Sequence, residues 1–383
     1  MTAPRSLLVR NLLLLMVVLG GAGSMAVYTS VGHERFWANW LVWTLFLLTI
    51  GLGNLFLVAL ERLVGAHWSV PMRRTAERIA SLVPLSVLLL LVGLLGVSVL
   101  FPWTRPEAAH NPILVAKSAW LNLTFFVIRL LVCAAAWLLF YRFYVKGSLK
   151  QDDSRDASFT VRARRLAPPF MVVFFFTVTI VAFDWVSSLE PEWYSDMFGV
   201  YLFAGTFLSG IAAMAQGVFA LIRRGRLPEV QAKHYYNLGT LSLAFTVFYA
   251  YIGFAQYMLI WYANLPEEVV WVKHRIEGGW GPVALALVLF HFFIPFFLLI
   301  GSAGKRSMRV MGLATLSILL GHFIDMYWLI FPALGAPVLG WPELAMACLF
   351  LGLGLLQIRR AMSRGADMPV GDPLLAKGLE WQA

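Results

Sequence analysis

Apolar residues run almost unbroken for about 20 positions at a time, the length a helix needs to cross the hydrocarbon core of a bilayer. Short polar segments separate the runs. The pattern predicts ten helices, over residues 7–29, 38–61, 79–100, 116–144, 166–187, 197–222, 237–262, 279–301, 310–332 and 340–360. The expected fold class is all-α, a polytopic membrane protein. The longest loops fall at 145–165 and 263–278, too short for an attached soluble catalytic domain. Residues 1–362 read as one transmembrane domain and 363–383 as a short polar tail on the cytoplasmic side. No internal repeat is visible.

Composition narrows the class. Hydrophobic residues make up 60% of the 383 and charged residues 13%, against about 45–50% and 25% in soluble domains, which excludes an ordinary water-soluble enzyme. The net charge is +10, and its distribution says more than its size. Of the 30 Lys and Arg, counting those near a span's end with the adjacent side, 24 lie on one side of the ten predicted crossings and five on the other, and Arg129 alone lies deep within a span. Positive charge concentrates in cytoplasmic loops, so both termini are expected in the cytoplasm. The basic surface then reads as contact with anionic lipid. Nucleic-acid binding is not expected, since no basic face outside the membrane is interleaved with base-stacking aromatics. Arg5 and Arg10 before a run that ends in small residues also fit a secretory signal, but the segment is read as a retained first helix. Cys133 and Cys348 are the two cysteines, both within apolar runs. They predict inert thiols, with no disulfide framework, zinc motif or covalent haem attachment.

An ionisable side chain at mid-membrane costs about 2.5–3.5 kcal/mol on insertion scales, so those retained there are the candidate chemistry. Arg129, His291 and His322 each lie about 12–13 residues into a span, roughly 18–20 Å deep by helix rise. Asp325 follows His322 by three residues, on the same helix face, and the two are expected to form a hydrogen-bonded pair. Asp184 ends the fifth span at a similar outer level, and Glu61 lies at the inner end of the second, beneath Asn54. Tyr249, Tyr251 and Gln256 on the seventh span add groups that hold or pass protons. The expected path has Glu61 admitting protons, His291 and His322 relaying them, Asp184 or Asp325 storing or releasing them, and Arg129 acting electrostatically. The alternative is interhelical glue, with Arg129 neutralised by Asp184 or Asp325. Two mid-membrane imidazoles also meet the minimum for bis-histidine haem ligation. A secondary transporter is disfavoured, since paired Gly/Pro interruptions are absent. Pro295 is expected to kink the eighth span.

Four stretches carry a family resemblance: FDWVSSLEPEWYSDMFGVY (183–201), GFAQYMLIWYANLPEE (253–268), GGWGPVALALVLFHFFIPFFLLI (278–300) and HFIDMYWLIFP (322–332). Across about 35–362 the chain resembles the ActF membrane subunits of bacterial alternative complex III, a quinol:cytochrome c or electron-acceptor oxidoreductase, within the NrfD/PsrC-like superfamily. The resemblance implies two four-helix bundles, spans 2–5 and 6–9, flanked by spans 1 and 10. It implies a sister membrane subunit, ActC, in which quinol is oxidised. It also implies a periplasmic iron–sulfur and molybdopterin-type subunit and multihaem and monohaem cytochrome c subunits. Haem c, iron–sulfur clusters and quinol would belong to those partners, with no cofactor or metal on this chain. The family motif falls on Asp184, Glu190, Gln256, His291, His322 and Asp325, while Pro191, Asn264 and Gly279 read as turn-shaping residues. A chain that binds quinol directly, using His322 or Asp325 as proton acceptor, is the alternative.

Overall fold

The computed structural model describes residues 3–381. Among them there is no strand, and ten helices are long and apolar enough to cross a membrane. These are span 1 (Leu7–Ser30), span 2 (His33–Val64), span 3 (Val70–Leu100), span 4 (Leu123–Ser154), span 5 (Ser158–Leu189), span 6 (Phe198–Ile222), span 7 (Ala232–Ala263), span 8 (Gly281–Leu299), span 9 (Met308–Leu334) and span 10 (Trp341–Met362). Both described ends lie at one face of the molecule, called here the terminal face.

Neighbours in space follow the chain. Spans 2, 3, 4 and 5 close one four-helix bundle and spans 6, 7, 8 and 9 a second. Span 2 packs along span 6 to join them, and it also touches span 9. The join is close because it is made of glycine. A Cβ on Gly53 would lie 2.1 Å from the Thr206 carbonyl oxygen, and one on Gly210 would lie 2.6 Å from the Gly53 carbonyl carbon. Small residues let transmembrane backbones approach in this way. Span 2 is the most enclosed helix, buried over 94% of its central window. Spans 1 and 10 pair with each other, and span 10 leans on spans 2 and 3, so the two flanking helices stand together.

Three expected boundaries move, each for a local reason. Span 4 starts at Leu123 because the Asn122 side chain caps it, accepting from Phe125 N at 2.8 Å. The expected loop at 145–165 is mostly helix, interrupted near Arg155 in the left-handed region (φ 53°). Span 3 begins nine residues early, at Val70, because Arg73, Arg74 and Arg78 are all buried and paired. The short polar tail after span 10 lies against the helices. Asp367 pairs with Arg78 and Arg226, Asp372 pairs with Arg62 and Arg73, and Leu375–Leu379 forms a short helix against span 3.

Candidate functional site

The second bundle and span 2 enclose a cluster of buried polar groups. Asp325 accepts from the Tyr201 hydroxyl at 2.6 Å, and the Tyr201 and Tyr249 hydroxyls are themselves hydrogen-bonded. Spans 9, 6 and 7 therefore meet at one carboxylate, 1% exposed. His322, one turn away on span 9, makes a different contact, with its Nε2 2.7 Å from the Thr49 hydroxyl of span 2. The expected His322–Asp325 pair is not formed. Thr49 has a single proton and lies 2.7 Å from the Leu45 carbonyl, which can only accept. Both contacts are satisfied when Thr49 donates to Leu45 and accepts from His322 Nε2–H. His322 Nδ1 is then a bare acceptor, and it has no partner among the described residues.

His291 completes the cluster. Its ring centroid lies 4.1 Å from that of Tyr249 and 5.9 Å from that of His322. Neither of its nitrogens has a partner among the described residues, although the residue is fully buried. The ring sits at the middle of a π-turn, Leu289–Phe293, a departure from α geometry frequent at functional sites. Pro295 follows on the same helix, where it removes a backbone donor. Span 9 packs on the backbone of His291 through Gly321, where a Cβ would lie 2.7 Å from the His291 amide nitrogen. Three imidazole nitrogens of fully buried residues thus have no partner among the described residues. Buried polar sites of this kind are what internal water occupies, because an unmet polar group in a dry interior is costly.

Polar groups continue toward both faces. Asn54, five residues beyond Thr49 on span 2, donates to Ile50 and Gly210 carbonyls and leaves its Oδ1 unpartnered. Seven residues further, about 10 Å along the helix, Glu61 accepts from Arg73 Nε at 2.8 Å. Glu61 is closed off from solvent, 2% exposed, since Arg73 also donates to Asp372 at 2.7 Å. Asp372 lies outside the spans; burial pushes its pKa up, but Arg62 and Arg73 outweigh that and hold it below the ordinary carboxylate value. Toward the opposite face, Arg275 donates to the carbonyl of Leu329, one turn beyond Asp325, at 3.0 Å. Its guanidinium stacks 3.8 Å from the Trp271 ring centroid and pairs with Glu190 at 2.8 Å. Burial lowers the Arg275 pKa and Glu190 opposes it, and a guanidinium stays charged.

Arg129 and Asp184 stand apart from this column, in the first bundle. Arg129 grips the carboxylate with two hydrogen bonds, 2.7 and 2.9 Å, Trp120 Nε1 donates to it at 3.0 Å, and the guanidinium covers the Trp120 ring. Both Asp184 oxygens are used, so the pair closes on itself. Of the two neutralising partners the sequence allowed for Arg129, it is Asp184. Tyr251 is 65% exposed on the outer side of span 7, away from the buried column. Gln256 is half-buried, with its Oε1 unpartnered. Both border a cavity of about 660 Å³, lined also by Tyr201, Tyr249, Trp271 and Phe292. It is almost wholly apolar in its walls, and it touches the Tyr201–Tyr249 pair from the side.

Tyr201, Thr49, Arg275, Arg73 and Asp372 are the functional candidates that pattern reading passed over. Tyr201 ends a quoted motif, but an uncharged hydroxyl near a helix start carries no cost that draws notice. The histidines do not fit haem. Tyr249 packs against the His291 ring and Thr49 takes Nε2 of His322, so the two rings are not both free to ligate through Nε2. No group of three or more His, Cys, Asp or Glu among the described residues is arranged to hold a metal ion. In comparisons with known proteins, no protein-family model and no curated protein matches the chain.

Proposed function

We propose that this chain is an integral membrane subunit of a respiratory quinol:cytochrome c or electron-acceptor oxidoreductase of the alternative complex III type, an ActF-like subunit that supplies a buried proton path and no redox centre of its own. The family part of the reading rests on the four sequence stretches quoted above. The proton part rests on one observation, the column of polar groups from buried Glu61 to partly exposed Glu190, with unbonded imidazole nitrogens at its middle. In this reading the terminal face is cytoplasmic, as the basic loops predict. The partners are an ActC-like sister subunit that oxidises quinol, a periplasmic iron–sulfur subunit and c-type cytochromes.

The residues divide the work by chemistry. Glu61 exchanges protons near the cytoplasmic end, through waters that Asn54 Oδ1 helps hold. His322 accepts at Nδ1 while its Nε2–H stays on Thr49, and His291 accepts at either nitrogen, so a proton crosses the ring pair with small rotations. Tyr249 and Tyr201 pass it to Asp325, and Glu190 releases it beside Arg275. Imidazole suits this role because one ring nitrogen can accept a proton while the other gives one up. The test is the purified complex in liposomes, with electron transfer from quinol and proton uptake followed together. Asp325→Asn is expected to leave assembly and electron transfer standing while proton uptake falls; unchanged coupling refutes the assignment.

A second reading has its own observation. The apolar cavity of about 660 Å³ abuts the Tyr201–Tyr249 pair and is large enough for a drug-sized ligand. A quinol ring lodged there would find its proton acceptor in Asp325 by way of Tyr201. Photolabelling with a quinone analogue separates the readings: label on Tyr249 or Phe292 favours direct binding, and label confined to the sister subunit excludes it.

A further inference from the structure

Glu61 lies at the terminal-face end of the buried column, and what covers it is the segment after span 10. Asp372 accepts from Arg62 Nη1 and Arg73 Nη1, each at 2.7 Å, and its side chain is completely buried. Arg73 is the same guanidinium that holds Glu61. Upstream, Asp367 takes Arg78 at 2.6 Å and Arg226 at 2.6 Å, while Arg78 also donates to the carbonyls of Arg364, Gly365 and Ala366. Midway, the Gly371 amide donates to Asp152 at 3.1 Å. Downstream, the His234 ring meets the Gly378 carbonyl and Lys233 reaches that of Leu379, both at 3.1 Å. The segment is therefore tied to spans 2, 3, 4 and 7 and to the loop after span 6.

Charge explains why it must lie there. Arg62, Arg73, Arg74 and Arg78 are buried together, and the helices themselves bring them Glu61, Glu77 and Asp152. The remaining two carboxylates of the network, Asp367 and Asp372, both come from the tail. Buried guanidinium groups without counter-ions are unstable, so the tail is drawn in as a neutralising element, and in arriving it seals the carboxylate beneath.

We infer that residues 363–381 form a strap that closes the terminal-face mouth of the polar column, with Asp372 as its latch. Calling that place a mouth rests on the proton reading above; the closure itself does not. Release of Asp372 would expose Arg73 and Glu61 to bulk water and let protons reach the column without control.

The closure is measured by thiol labelling of the full-length protein in detergent. Cys133 and Cys348 are replaced by alanine, and Ser69→Cys places a thiol at a fully buried position beside Glu61. A charged, membrane-impermeant maleimide is the probe. With the strap intact Ser69→Cys is expected to resist it, and adding Asp372→Asn is expected to speed labelling about tenfold or more, as local opening replaces protection. Asp372→Glu should restore resistance. If Asp372→Asn does not yield folded protein, Asp367→Asn, which frees the more exposed end of the strap, is read in the same way. Rapid labelling with the native strap, or resistance in a folded Asp372→Asn protein, overturns the inference. Proton uptake by the Asp372→Asn complex keeps the two proposals apart: labelling that rises with no change in uptake condemns the role of Glu61 and leaves the strap standing.

Discussion

The Tyr201 hydroxyl donates to Asp325 at 2.6 Å, which turns that carboxylate toward span 6 and away from His322 on its own helix. The consequence is a division of the site into two halves: an acid with two phenols, and a pair of imidazoles anchored by Thr49. Tyr249 bridges them, touching Tyr201 through its hydroxyl and His291 through its ring. Removal of that bridge is expected to separate the halves. Tyr249→Phe keeps the ring and loses the hydroxyl, so the complex should assemble and transfer electrons while proton uptake drops by about tenfold or more, as for loss of a general acid–base group. Uptake equal to the native complex would show that protons do not pass by this residue.

Gly205 offers a steric test of the same place. A Cβ there would lie 3.5 Å from His322 Nδ1 and 3.6 Å from the Tyr249 ring, ordinary contact distances that the fold tolerates. The methyl group of Gly205→Ala would nonetheless occupy the approach to the one unbonded nitrogen of His322. Thermal stability is expected to stay within about 1 kcal/mol of native, since the substitution also favours helix, while proton uptake slows. Ser at the same position, able to bond Nδ1, should recover part of the rate; if Ala and Ser behave alike, water access to Nδ1 is not what matters.

Much of the architecture was readable from the chain, because a bilayer punishes any interruption of an apolar run and so writes each crossing as a block of residues. The site was readable in part for the same reason. His291, His322, Asp325 and Arg129 stand out by the cost of placing them in hydrocarbon, whereas Tyr201 and Thr49, which decide where the acid and the imidazole point, carry no charge and blend into helices rich in hydroxyl and aromatic residues. Spacing put His322 and Asp325 on one face, yet a shared face does not make a shared bond once other helices offer better partners. The contacts of the tail were not legible. Asp367 and Asp372 sit in a short polar segment, and Arg78 and Arg73 lie 289 and 299 residues away from them, a separation that no local pattern can reveal.

The Arg129–Asp184 pair should behave as a structural clamp. The charges are buried, doubly bonded and remote from the imidazoles. Arg129→Ala leaves Asp184 ionised without a partner, a loss expected at about 3–5 kcal/mol, read as a lower melting temperature in detergent and poorer assembly. Arg129→Lys should recover little, because one ammonium cannot make the forked contact. The double change Arg129→Leu with Asp184→Leu should be better tolerated than either single one, and proton uptake per electron in whatever complex assembles should be native. A coupling defect in a stable Asp184→Asn complex would return this pair to the proton path.

Acid should open the strap, and the direction follows from Asp372. The groups facing its carboxylate are Arg62 and Arg73, both permanently charged, with Glu61 behind Arg73 and Thr160 beside Arg62. Burial raises its pKa, the two arginines and the Leu374 amide lower it by more, and the net value lies below the ordinary one. A group whose pKa is depressed on folding contributes stability above its unfolded value, about 3.9 for aspartate, and loses it as pH falls through the folded value. Hydrogen exchange of the amides in 366–379, normalised to the intrinsic rate at each pH, is therefore expected to stay slow and flat from neutrality down to about pH 4, then to accelerate under more acid conditions. In Asp372→Asn protein the same amides should exchange quickly at every pH. Loosening between pH 5 and 8 in the native chain would instead point to a histidine as the titrating group, with His234 at the Gly378 carbonyl the one to replace next, and Asp372 would cease to be the latch.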